Sequence, residues 1–150
     1  MSQVAKIFSA NDVLLDLDVN NKQALFDVVG KLWEDHNVIK ASEVISSLHG
    51  REKLGSTGLG LGVAIPHARV ESLATPTAIF VRTKKALEFD SPDGAPVNLF
   101  FFLLVPADAT EQHLQVLAEI VEMLANAKFR EHLQSCDNPA HAHELFVKWK

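Results

Sequence analysis

A chain of 150 residues with 47% apolar and 22% charged side chains has the size of one folded domain, residues 1–150, and its balance excludes the low-hydrophobicity, high-charge composition of disorder. Fourteen Lys and Arg against nineteen Asp and Glu leave a net charge of −5, and the basic residues are dispersed instead of forming a stripe along a phosphate backbone, so nucleic acid is not an expected partner. Cys136 is the only cysteine, which leaves one chain without an internal disulfide or a thiolate metal cluster.

The N-terminal "MSQVAKIFSANDVLL" lacks the basic segment, apolar core and cleavage site of an export signal, and no run approaches about eighteen apolar residues, so a cytoplasmic location without membrane insertion is expected. "VLLDLDV" alternates enough for a strand. Asn20 or Asn21 can then cap a helix to about Asn37, because Leu25, Val28, Val29, Leu32 and Trp33 recur at helical spacing. A second helix is predicted from Ser42 to near Leu54, with Val44, Ile45 and Leu48 on one face and Gly55 as its stop. "GVAIPH" reads as a short extended run, and Pro66, which cannot donate a ladder hydrogen bond, is expected to finish it.

"TAIFV" from Thr77 and "VNLFFFLLV" from Val97 read as buried strands in the middle of a sheet, separated by the turn-rich "LEFDSPDGAP". Phe100, Phe101 and Phe102 are most simply core. Leu114, Leu117, Ile120, Val121 and Leu124 give a helical stripe from Thr110 to about Asn126, and shorter helical signals follow at Phe129 to Leu133 and Ala140 to Val147. There is no internal repeat, linker or low-complexity tract. Interleaved strands and helices predict an α/β sandwich with helices on both faces of the sheet, in a strand order the sequence does not reveal.

Between the second helix and the extended run lies "GSTGLGLGVAIPHARV", with glycines at 55, 58, 60 and 62. A nucleotide P-loop would need Gly-Lys-Ser/Thr where Gly60 is followed by Leu61 and Gly62, and a dinucleotide fingerprint would need glycine at Val63 and a helix afterwards; both readings fail. Two readings stay open. The loop could hold a phosphoryl-sized anion, with Ser56 and Thr57 as hydroxyl donors, or it could be a tight helix-to-strand connection.

His67, at the end of the extended run, is placed by rigid scaffold on one side and faces open loop on the other. An imidazole nitrogen is often unprotonated near neutral pH, and a phosphoryl group carried on it stays easily transferred. Arg51 can present a planar fork to phosphate oxygens. Arg69 would share the face of His67 if the extended conformation continued, and ranks second. His113 lies on the inward stripe of its helix at the N-terminal end, where the helix dipole favours a neutral ring; it is either a hydrogen-bond donor to a phosphate or a half-buried core-edge residue. His141 and His143 have no third ligand at zinc-site spacing and read as solvated surface, while His36, His49 and His132 stand alone. No G-x-S-x-G elbow supports a serine hydrolase.

"REKLGSTGLGLGVAIPHAR" followed by "PVNLFFFLLVPADATEQHLQVLAEI" resembles the IIA components of the bacterial phosphoenolpyruvate-dependent phosphotransferase system, in the mannitol/fructose superfamily, and most of all its nitrogen-regulatory branch. The likeness covers nearly the whole chain. It implies a three-layer α/β sandwich around a mixed sheet, with His67 accepting a phosphoryl group through Nε2 from a phosphohistidine on a small carrier protein. By the same resemblance Arg51 matches the cleft arginine and His113 the second histidine, while Ser56, Thr57 and Gly58 fit the phosphate-binding part of the motif. The scheme requires no metal, nucleotide or other cofactor. The expected partners are the histidine phosphocarrier and regulated proteins such as potassium transporters or sensor kinases; the alternative is a sugar-specific component that relays phosphate to a IIB domain. The length without attached transporter segments favours the regulatory expectation.

Overall fold

The computed structural model describes residues 3–108 and 111–149, residues 111–113 by their backbone alone. Strands β1 (Val13–Leu17), β2 (Gly58–Gly60), β3 (Val63–Ala64), β4 (His67–Val70), β5 (Thr77–Leu87) and β6 (Val97–Pro106) form one mixed sheet. β5 and β6 are antiparallel neighbours in its middle. β1 lies parallel on the outer side of β5; β3 and β4 both lie parallel to β6 on its other side, with β2 antiparallel beyond β3.

Helices α1 (Lys22–Asp35) and α2 (Ala41–Glu52) cover one face, and α3 (Glu111–Ala125), α4 (Ala127–Ser135) and α5 (Pro139–Val147) the other. The pleat of β6 divides its apolar run between these layers: Phe100, Phe102 and Leu104 pack with α1 and α2, and Leu99, Phe101 and Leu103 with α3 to α5. All six are buried. This is the three-layer α/β sandwich expected from the sequence, with the strand order now fixed.

Side-chain caps set the starts of α1, α4 and α5. Asn21, Asn126 and Asn138 accept from the amides of Ala24, Phe129 and His141, and Pro139 occupies the first position of α5. Gly30 lets α1 and α2 approach closely, since a Cβ there would lie 2.9 Å from Ile45 Cγ1 and 3.2 Å from the Ala41 carbonyl oxygen. The buried Arg82 of β5 donates to the carbonyls of Leu133 and Cys136 at the end of α4, at 2.9 and 2.6 Å, and meets the Asp16 carboxylate at 3.0 Å. It thereby ties α4 to the β1–β5 side of the sheet.

Three local expectations change. β3 does finish just before Pro66, at Ala64, but a new strand follows at once: the Pro66 carbonyl accepts from Leu103 N–H at 2.9 Å, and His67 to Val70 pair with β6. His67 therefore opens a strand instead of closing one. β5 continues past "TAIFV" through the polar Arg82–Ala86 stretch to Leu87, so it is twice the predicted length. His143 is half-buried, with Nε2 3.0 Å from the Phe8 carbonyl and its ring edge-on to Phe8. Of the histidines read as solitary, His36 meets Asp12 at 3.0 Å and His49 lies against Phe26, its Nε2 buried with no hydrogen-bond partner among the described residues. No helix among the described residues is long and apolar enough to cross a membrane.

Candidate active site

Between the end of α2 and the outer end of β4 lies a groove of about 410 Å³, into which Arg51, His67 and Arg69 project beside the apolar Leu54, Leu103 and Leu114. Each placement has a local cause. Arg51 stands in the last turn of α2, where a cation complements the helix C-terminus. His67 and Arg69 alternate with the core residues Ala68 and Val70 along β4, so both turn away from the α1–α2 core toward the groove.

His67 Nδ1 lies 2.7 Å from the carbonyl oxygen of Ile65. A carbonyl can only accept, so the proton of the neutral ring sits on Nδ1 and the lone pair is left on Nε2. Burial holds the His67 pKa below the ordinary imidazole value of 6.5; the Ile65 hydrogen bond pulls it back up, the Arg51 charge pushes it down, and the Glu52 charge raises it. The net direction is downward. The half-buried ring therefore stays neutral, with Nε2 bare, to lower pH than a free histidine does.

Arg51 donates to the Gly55 carbonyl at 2.8 Å, which anchors one edge of the guanidinium and leaves other N–H groups for an anion in the groove. Glu52, the next residue, has a nearly buried side chain. It accepts from the Thr57 hydroxyl, from the Thr57 amide at 3.3 Å and from the Lys22 ammonium at 3.2 Å. Glu52 and Lys22 were not among the residues singled out from sequence. The available signal was a carboxylate in the last turn of a helix, where the dipole disfavours it.

The glycine-rich segment is occupied with its own folding. Ser56 donates its hydroxyl to the Phe89 carbonyl at 2.6 Å and accepts from the Gly58 amide at 3.0 Å, and Thr57 gives its hydroxyl proton to Glu52. Each hydroxyl has one proton to donate, so in this geometry the donors expected at Ser56, Thr57 and Gly58 are spent within the protein. A Cβ on Gly58 would lie 2.6 Å from Ser91 Oγ and 3.2 Å from Ser91 Cα. Gly60 and Gly62 have φ of 84° and 79°, with Leu61 between them at 60°, forming the left-handed turn that joins β2 to β3. Asp93 fastens that turn by accepting from Leu61 N–H at 3.0 Å and Ala95 N–H at 3.1 Å, and these amides hold its carboxyl below the usual range.

The structure thus brings His67, Arg51 and Arg69 together at one groove, whereas Ser56, Thr57 and Gly58 are not among the residues that line it. The His113 side chain lies outside the described residues; the backbone of the first turn of α3 borders the groove through Leu114. Among the described residues no three His, Cys, Asp or Glu side chains converge as metal ligands.

A model of the family described as "Phosphoenolpyruvate-dependent sugar phosphotransferase system, EIIA 2" matches residues 6–149. A nitrogen regulatory protein from Pseudomonas aeruginosa is 34% identical over 148 residues, covering 98% of this chain and 96% of the relative. The crystal structure of the nitrogen regulatory protein IIA-Ntr from Neisseria meningitidis superposes with a TM-score of 0.91 at 39% identity, over 96% of this chain and 99% of that one. The mannitol IIA of Escherichia coli, at 18% identity, shares the fold, with a TM-score of 0.77 over 92% of this chain and 97% of that chain.

Proposed function

Because the chain belongs to the EIIA 2 family of the phosphoenolpyruvate-dependent sugar phosphotransferase system, we propose that it carries a phosphoryl group on His67 Nε2, taken from a phosphohistidine on a small carrier protein. The observation that supports this reading is the Nδ1–Ile65 hydrogen bond, which leaves Nε2 as the bare nitrogen of a ring turned toward an arginine-lined groove. In the transfer, the Nε2 lone pair forms the new N–P bond as the P–N bond to the carrier's imidazole breaks. The departing electron pair stays on the carrier nitrogen, and the Nδ1 proton of His67 does not move.

Little covalent work falls to other groups, so positioning and charge supply most of the rate. Arg51 neutralises charge on the equatorial oxygens, with Arg69 farther along the same face. His113, in the first turn of α3, is the second histidine that the resemblance implies as an N–H donor, and its side chain lies outside the described residues. Exposed Leu54 and Leu114 beside the groove suit an apolar protein partner more than a free small anion.

The names of the similar proteins from Pseudomonas and Neisseria favour a regulatory carrier. About −1.5 to −2 units of added charge would alter contacts with targets such as potassium transporters or sensor kinases. The fold shared with mannitol IIA keeps a second reading, relay to a IIB domain for sugar uptake.

The test is to mix the protein with phosphoenolpyruvate, the first enzyme and the histidine phosphocarrier, follow intact mass and map the product. One base-stable, acid-labile phosphoryl group on His67, absent in His67→Ala, is expected. Phosphorylation elsewhere, or none, sinks the reading, and rapid onward transfer to a sugar-specific IIB domain would replace the regulatory role with the relay. Because its pKa is depressed, His67 should keep accepting phosphate as pH falls past 6.5, where an ordinary imidazole is half protonated.

A further inference from the structure

Glu52 stands where two general rules disfavour a charge. It is in the last turn of α2, at the negative end of the helix dipole, and its side chain is only 6% exposed. A buried carboxylate–ammonium pair contributes little net stability compared with apolar side chains of similar size, so holding the fold together does not by itself call for this residue. Its contacts lead to the groove instead. One carboxylate oxygen takes both the Thr57 amide and the Thr57 hydroxyl, and the other takes the Lys22 ammonium, which also lies 4.1 Å from the centre of the Phe89 ring.

From Thr57 the hydrogen bonding runs on without a gap. The Thr57 carbonyl accepts from Ile65 N–H at 3.1 Å, and the Ile65 carbonyl accepts from His67 Nδ1 at 2.7 Å. Pro66, between Ile65 and His67, has its φ fixed by its ring, so the orientation of the Ile65 residue is passed to the imidazole with little slack. On the other side of Thr57, the Gly55 carbonyl holds the Arg51 guanidinium at 2.8 Å. The clamp at residue 57 therefore reaches the His67 ring through two hydrogen bonds, while Arg51 is held separately by the Gly55 carbonyl.

We propose that Glu52 is a positioning residue for His67: by gripping Thr57 it fixes, through the Thr57 carbonyl, the Ile65 carbonyl that holds the imidazole proton on Nδ1. The inference rests on the reading of His67 as phosphoryl acceptor, and it adds what keeps the accepting nitrogen bare. The carboxylate also opposes the Arg51 charge at the His67 ring, so its removal should move the titration of His67 as well as its geometry.

The experiment uses the full chain, labelled with ¹⁵N-histidine, as wild type, Glu52→Gln, Thr57→Val and Thr57→Ser. Ring nitrogen signals of His67 are recorded against pH without any phosphate donor, and phosphoryl transfer from the phosphorylated histidine carrier is timed separately. Wild type should show an almost pure Nδ1–H tautomer. Thr57→Val and Glu52→Gln should show averaged ring signals and a displaced titration, with transfer slowed on the order of tenfold to hundredfold, the scale that misplacing a reacting group by about 1 Å produces. Thr57→Ser, which keeps the hydroxyl, should restore both properties relative to Thr57→Val. Unchanged His67 ring signals in Thr57→Val and Glu52→Gln overturn the proposal whatever the rates; should Glu52→Gln fail to fold, Thr57→Val against Thr57→Ser decides. If wild type takes no phosphate at all, the carrier reading fails, while the ring signals still decide the positioning role.

Discussion

Strand β6 and the segment from Gly55 to Val70 lie side by side in one sheet and are held in place by opposite means. β6 is a run of apolar side chains in unbroken register with β5 from Leu99 to Leu104, and it is fixed by burial on both faces. The neighbouring segment has four glycines, a proline, a leucine in the left-handed region and two hydroxyls, and it is fixed by directed hydrogen bonds that it donates to Glu52, Phe89 and Asp93. The hydrophobic effect is non-directional. Hydrogen bonds are directional, and the proposed role of His67, to present one ring nitrogen, calls for the directional kind. The sheet therefore joins a strand that supplies stiffness to one that supplies aim.

Removing a ring from β6 tests the first half of that contrast. Phe101 is fully buried, with its ring centre 5.4 Å from that of Phe8 and 5.3 Å from that of Phe146. Phe101→Ala should lower unfolding free energy by about 3–5 kcal/mol, read from denaturant titration. The folded fraction should keep the His67 tautomer, because no hydrogen bond of the site passes through that ring. A changed His67 signal at unchanged fold would show that burial, too, aims the imidazole.

A smaller substitution tests the other half. Gly58→Ala drives a Cβ to 2.6 Å from Ser91 Oγ and 3.2 Å from Ser91 Cα. The hydroxyl can rotate, but the backbone contact must open, at a cost of about 1–3 kcal/mol by the usual scale of overpacking. Since the Gly58 amide and Ser56 share a hydrogen bond in the clamp, phosphoryl transfer from the carrier should fall by more than the fraction unfolded accounts for. Loss in proportion to unfolding alone would mean that the segment tolerates displacement.

The same contrast explains what could be read from the sequence. Periodicity announced α1, α2 and α3, because burial against a layer imprints its spacing on the chain, a continuous apolar run announced β6, and the layers followed from the interleaving of strands and helices. His67 and Arg51 were legible as residue types beside a flexible, proline-ended run. The resumption of pairing after Pro66 was not, since it depends on β6 offering the Leu103 amide to the Pro66 carbonyl from far along the chain. Nor did the glycines disclose their separate reasons: Gly58 answers to Ser91, whereas Gly60 and Gly62 answer to a turn. Glu52 escaped notice because its partners, Lys22 and Thr57, come from different elements and only the fold unites them. The polar second half of β5 was missed for a related reason. Lys84, Lys85 and Ala86 are exposed, so no apolar alternation marked them as strand.

The smallest expected effect lies at Leu61, where the directional strand carries a visible local strain. Its φ of 60° places a bulky apolar residue in the left-handed region, and 61% of its surface is exposed. Asn tolerates that backbone far better and, unlike Gly, adds little freedom to the unfolded chain. Leu61→Asn should therefore stabilise the protein by up to about 1 kcal/mol, raising the thermal midpoint by roughly 2–4 °C for a domain of this size. Against the gain stands the surface hollow that Leu61 lines together with Arg130 and Gln134 of α4. That surface is open and the side chain mostly solvated, so the backbone term should win. A lowered midpoint would reverse the ranking and show that even in this segment apolar packing, not hydrogen-bond geometry, decides the turn.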